Sequence, residues 1–160
     1  MGTEVAFNNA TGLYVRIDSQ TQVVRKTATF TGAAGLGATG DFDLFTVTGE
    51  IYVVRITAFC STLLVEGGAT AQVSLGTTST VELFVADTEP EDLDANEFWT
   101  AIASGVAGAV VPPTIMTNTL IDGATDDILL TIAGNSIDSG VLEFTLQWEP
   151  ISVDATVVAA

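Results

Sequence analysis

FDLFTVTGEIYVVRITAFC, residues 42–60, decides the fold class. Two runs rich in Val, Ile, Thr, Phe and Tyr flank Thr48-Gly49-Glu50, and such side chains suit a pleated, half-buried surface. The stretch reads as the central hairpin of a β-sandwich. In its second run Tyr52, Val54, Ile56, Ala58 and Cys60 define one face. Ile51, Val53, Arg55, Thr57 and Phe59 define the other, so both faces are expected to be largely covered.

Further strands follow toward the C-terminus. Ala71, Val73 and Leu75 alternate with Gln72 and Ser74; Val81, Leu83 and Val85 alternate with Glu82 and Phe84. Phe98–Ile102 and Thr114–Leu120 are strand candidates, separated by a Gly/Ala/Val loop that ends at Pro112-Pro113. Asp127–Ala133 places Ile128, Leu130 and Ile132 on one face. Val141–Glu149 has the clearest alternation, with Leu142, Phe144, Leu146 and Trp148 inward and Glu143, Thr145, Gln147 and Glu149 outward. Gly67-Gly68, Asp122-Gly123, Gly134-Asn135 and Pro150 punctuate these runs. About eight strands from Phe42 onward predict an all-β, two-sheet sandwich of jelly-roll type.

Toward the N-terminus the pattern changes. Residues 1–10 read as an arm. Leu13–Ile17 and Gln22–Phe30 read as a strand pair turning at Asp18-Ser19-Gln20, and TGAAGLGATGD (31–41) reads as a linker. The expected organisation is an arm with a strand pair over 1–36 and a sandwich with an apolar tail over 37–160. No signal peptide is expected at MGTEVAFNNATGLYVRIDS, which lacks a basic stretch before an apolar one. The longest apolar run, Ala101–Val111, is shorter than the roughly 20 residues that a membrane-spanning helix needs.

Composition narrows the chemistry. The 160 residues contain no histidine, which removes Ser-His-Asp and Cys-His catalysis within one chain. Cys60 is the single cysteine, so neither an intrachain disulfide nor a multi-cysteine zinc site can form. Four Lys+Arg against twenty Asp+Glu give a net charge of −16. That balance argues against nucleic-acid and anionic-membrane partners. It suits a salty, halophilic setting, where salt screens self-repulsion. Residues 1–40 carry Arg16, Arg25 and Lys26 against Glu4 and Asp18, net +1; residues 41–160 carry Arg55 alone against eighteen acids, net −17. The N-terminal segment can lie on an acidic partner or on the acidic body of a neighbouring copy, or its three basic residues can be ordinary surface charge.

TEPEDLDAN (88–96) departs from the strand rhythm and predicts a helical turn at Pro90. Glu89, Glu91, Asp92 and Asp94 supply oxygens of the kind that calcium takes, but the EF-hand spacing is absent and a solvated acidic loop is the expectation. No cofactor and no enzymatic activity are expected. A carbohydrate- or receptor-binding β module is the alternative, favoured if Tyr14, Tyr52 or Trp99 is exposed beside that loop.

Several of these segments carry a resemblance. GATGDFDLFTVTGEIYVVRITAFCSTLLV, with ATAQVSLG and DLDANEFWTA after it, resembles small β-rich proteins encoded in the structural gene clusters of siphophage-type tailed viruses. The ending GVLEFTLQWEPISVDATVVAA, with Trp148-Glu149-Pro150 and its small-residue terminus, resembles that family's ending. The resemblance covers residues 37–160, and its motifs are structural. It implies a virion component of a tailed bacteriophage or archaeal virus, most like a capsid decoration (cement) protein. Such a protein sits as a homotrimer on the outer surface of an HK97-like capsid and stabilises it. The major capsid protein and further copies of the chain are the implied partners. A head-fibre, tail or neck component is the alternative within virions. On this reading Tyr14, Arg16, Arg25 and Lys26 are expected at the coat, and Val153, Val157 and Val158 between copies.

Overall fold

A computed structural model describes residues 5–7, 14–16, 21–33, 36–99 and 119–160, the first two segments as main chain only. It is all-β, with two antiparallel sheets packed as a sandwich and no α-helix among the described residues. β1 (Val5–Phe7) and β2 (Tyr14–Arg16) pair with each other and, among the described residues, with no other strand. β3 (Gln22–Phe30), β4 (Gly40–Thr48), β5 (Glu50–Glu66), β6 (Gln72–Thr77) and β7 (Val85–Thr88) follow. After a 3-10 turn at Pro90–Asp92 come β8 (Glu97–Trp99), β9 (Thr119–Asp122), β10 (Ile128–Ala133), β11 (Ile137–Pro150) and β12 (Thr156–Ala159). One sheet runs β12-β4-β10-β6-β7. The other runs β3-β11-β5-β8, with β9 also on β5.

The stretch 42–60 is not a hairpin. β4 and β5 belong to different sheets, and Gly49, at φ 69°, turns the chain from one to the other. A side chain at Gly49 would also run into the Ser152 hydroxyl. The corner is tied by Gly123 N–H to Gly49 O (2.9 Å), Ile151 N–H to Glu50 O (2.9 Å) and Glu50 N–H to Ser152 Oγ (2.9 Å).

The faces of β5 also differ from strict alternation. Gln147 pairs with Arg55 but Trp148 pairs with Val53, so Val54 is the extra residue of a β-bulge. Ile51 and Val53 before it, and Ile56, Ala58 and Cys60 after it, all point into the core; Tyr52, Arg55, Thr57 and Phe59 all point out. The bulge reconciles two apolar patterns one residue out of phase.

β11 follows its alternation as read, with Leu142, Phe144, Leu146 and Trp148 buried. They face Leu44, Phe45 and Val47 of β4 and Ile128, Leu130 and Ile132 of β10 in one continuous core. Each such buried side chain contributes roughly 1.5–3 kcal/mol relative to exposure.

Three more expectations change. Gln22–Phe30 does not pair within an arm; as β3 it pairs with β11 along its whole length, from Gln22↔Trp148 to Phe30↔Gly140. The glycine-rich segment after it is fastened to Ile137 by Gly32 N–H to Ile137 O (2.9 Å) and Ile137 N–H to Gly37 O (2.7 Å). Residues 21–33 and Leu36 are thus part of the sandwich, not of a separate arm. Val81 and Leu83 lie in turns that precede β7 and stay exposed. The tail forms β12 on the edge of β4, from Thr156↔Thr48 to Ala159↔Phe45. The strand readings between 100 and 118 lie outside the described residues.

Candidate interaction surface

The outer face of the β3-β11-β5 sheet gathers what the rest of the surface lacks. Inter-strand register sets its rows: Val23–Gln147–Arg55, Arg25–Thr145–Thr57 and Thr27–Glu143–Phe59–Phe98. Arg25 and Arg55 stand two strands and one row apart, about 12 Å at ordinary strand spacing and rise. Among the described residues neither guanidinium has a hydrogen bond or ion pair. Apolar groups surround them. Phe98 is 67% exposed and lies against Phe59 with ring centroids 5.0 Å apart; Val23 is 54% and Leu120 53% exposed. A shallow depression between Arg25, Thr27, Phe59, Glu143 and Thr145 marks the middle of this face.

Lys26 does not join them. It points inward from β3, and its Nζ donates to Asp43 O at 3.1 Å and to Ala160 O. It therefore ties β3 to the edge of the facing sheet. A lysine directed inward on a long edge strand also blunts that edge against pairing with other chains. β7, β8, β9 and β12 are three or four residues long and offer little edge to extend. This leaves the face, not the edges, as the broad surface open to a partner.

Of the other expected contact residues, Tyr14 and Arg16 lie in β2, and their side chains are outside the described residues. The tail valines divide. Val157 is packed against the core, whereas Val153 is 90% and Val158 56% exposed.

The predicted turn at Pro90 is present. Pro90 and Leu93 are buried, and Asp92 N–H to Glu89 O (3.0 Å) and Leu93 N–H to Pro90 O (3.1 Å) fix it. Asn96 N–H to Cys60 O (2.7 Å) anchors its end to β5. The carboxylates of Glu89, Glu91, Asp92 and Asp94 are exposed along this ridge. They do not converge: no group of three or more potential metal ligands occurs among the described residues. Trp99 is buried and donates from Nε1 to Thr88 Oγ1 at 3.1 Å, so it is not a sugar-stacking platform.

Cys60 is buried beneath this ridge, its Sγ 3.3 Å from Thr62 O and 3.6 Å from Leu93 O. Burial, with Glu97 and Asp94 nearby, pushes its thiol pKa up. Thiolate is the reactive form. Modification by a disulfide reagent should therefore be on the order of a thousandfold slower in the native protein than in denaturant. Comparable rates in both would show that β5 and the ridge open freely.

At one end of the sandwich Ser79 N–H donates to Asp126 Oδ1 (2.8 Å), and the Ser79 hydroxyl donates to the same atom. These bonds hold the Asp126 carboxyl below the usual carboxylate range, led by the Ser79 hydroxyl. A depressed folded pKa adds stability that is present above the unfolded value, about 3.9, and is lost as pH falls through the folded value. Ser79→Ala should raise the Asp126 titration toward about 3.9, read by carboxyl NMR, and flatten the acid loss of stability below about pH 4. An unchanged titration would contradict the assignment.

Comparison with known proteins finds no matching family model, no matching curated protein and no matching solved structure.

Arg55, Phe98 and Leu120 were not singled out from the sequence as surface residues. Arg55 is legible in principle: a guanidinium in a largely apolar strand has to reach water or a carboxylate.

Proposed function

We propose that this protein is a structural component of a tailed-virus particle, a decoration protein that binds the outer surface of an HK97-like capsid and stabilises it. The observation that carries the reading is the kind of surface the sandwich offers. It is a broad sheet face set, among the described residues, with unpaired arginines and exposed apolar groups, as a protein-binding module needs. The absence of histidine agrees with a mechanical role, and strong acidity suits an outward surface better than one lined by DNA. The particular kind of particle rests on the resemblance of residues 37–160 described above.

In this reading the β1–β2 pair, with Tyr14 and Arg16, reaches the major capsid protein, and the exposed Val153 and Val158 meet other copies in a homotrimer. Lys26 is occupied within its own chain and is not counted at the coat. A sugar- or receptor-binding module is the second reading. Exposed Phe98 and Tyr52 favour it, and buried Trp99 weighs against it.

Removal of residues 1–20 tests the coat contact, since it leaves β3 and the sandwich whole. The shortened protein is expected to keep its unfolding transition and to lose sedimentation with empty capsids. Full retention of capsid binding would remove the arm from the contact.

A further inference from the structure

We propose that the Arg25/Arg55 face takes the acidic ridge of a second copy of this chain, so that copies associate head to tail. The inference holds whether or not the chain belongs to a virion.

The charge distribution decides the occupant. At −16, two copies repel one another over almost all relative orientations. A contact between them is favoured where the few cations meet carboxylates. Arg16 lies in the β1–β2 pair, Lys26 is committed to Asp43 O and Ala160 O, and Arg25 and Arg55 share one sheet face. That face carries Val23, Phe98 and Leu120, whose exposed area association would remove from water. A guanidinium buried among such groups requires a carboxylate opposite it.

The same chain supplies those carboxylates on a rigid support. Glu89, Glu91, Asp92 and Asp94 project from a turn whose Pro90 and Leu93 are buried, and whose main chain is hydrogen-bonded to itself and, just beyond, to β5. No described cation of the chain pairs with them. The two halves do not satisfy one another internally: the ridge adjoins the β8 border, Arg25 is on the opposite border strand, and Arg55 pairs with neither. Because both halves are already ordered, little conformational entropy is lost on docking. The two surfaces differ, so the contact is heterologous and closes into a ring or continues as a chain.

Light scattering of the full chain at moderate ionic strength tests this with two variants. Arg25→Glu with Arg55→Glu destroys the face and leaves the ridge. Glu91→Gln with Asp92→Asn blunts the ridge and leaves the face. All four positions are exposed, and thermal melts matching the unsubstituted protein establish that both variants fold. The unsubstituted chain is expected to self-associate, and each variant to raise the dissociation constant about a hundredfold or more. An equimolar mixture of the two variants is expected to form 1:1 dimers, since one intact face then meets one intact ridge. A monomeric parent protein at every concentration, unchanged association of the face variant, or a mixture that stays monomeric would overturn the proposal. So would a face variant that keeps its oligomeric mass and loses capsid binding, because the face would then belong to the shell.

Discussion

Phe144→Ala is expected to remove about 3–5 kcal/mol of unfolding free energy. Phe144 lies midway along β11, 1% exposed, and pairs with Lys26 of β3 on one side and Ala58 of β5 on the other. β11 is thus the central strand that holds both neighbours, and its ring fills the middle of the sandwich. Alanine removes the ring's transfer energy and leaves a space that three paired strands cannot collapse to fill. For a chain of this size the loss corresponds to a fall of roughly 10–15 °C in Tm. The outward neighbour gives the contrast: Glu143→Gln should change stability by less than about 0.5 kcal/mol. Thermal or denaturant unfolding of both variants checks the pair. Equal effects would mean that β11 is not oriented as described.

Gly134→Ala is the second large effect. Gly134 turns the chain from β10 toward β11 at φ 73°, where an L side chain is strained by about 1–3 kcal/mol. An added methyl would also meet the Thr70 carbonyl oxygen, a main-chain atom with no freedom to swing aside. The adjoining turn is held by Asn135 Nδ2 donating to Thr70 Oγ1 at 2.7 Å, so displacement of Thr70 costs that bond as well. The total should reach roughly 2–6 kcal/mol, with overpacking adding about 1–3 to the backbone strain. Gly40→Ala separates the two contributions. Gly40 also has a positive φ, 138°, but nothing lies within 4 Å of an added Cβ. It should cost clearly less in the same unfolding measurement; an equal cost would assign the whole effect to backbone strain.

The parts of the fold that the sequence displays openly are those governed by one local pattern. β11 and β10 alternate cleanly because each presents a single apolar face to one core, and period-two reading places Leu142 to Trp148 and Ile128 to Ile132 correctly. At Gly49 the sequence reads as a hairpin where the chain turns a corner, because Thr-Gly-Glu serves either turn. What separates the two is whether β4 and β5 find their partners in each other or in β10 and β11, which are remote in sequence. The faces of β5 were misassigned for a similar reason. Both sets of residues are apolar, so nothing local marks Val54 as the place where the phase changes, and only the pairing with Gln147 and Trp148 reveals it. β3 was set apart because its cations and the glycines after it look like a linker region. Its inward residues, Val24, Lys26, Ala28 and Phe30, are a mixed set, and the lysine hides the pattern until its partners Asp43 O and Ala160 O are seen.

The candidate surface was less legible than the fold. Arg25 was found from charge segregation along the chain, and the acidic ridge from its run of carboxylates. Arg55 joins Arg25 only through the order β3-β11-β5, which brings residues far apart in sequence onto one face. Register creates that surface, and register in a sheet built from distant strands is a global property.

The proposed decoration role is tested most directly by the composition of purified tailed-virus particles from cells that produce this chain. Quantitative mass spectrometry of particles banded by density should find the protein in a constant ratio to the major capsid protein, in full and in empty shells alike. Its absence from banded particles, or a ratio that drifts to zero with washing at the salt of the host's medium, would contradict a shell-bound structural role.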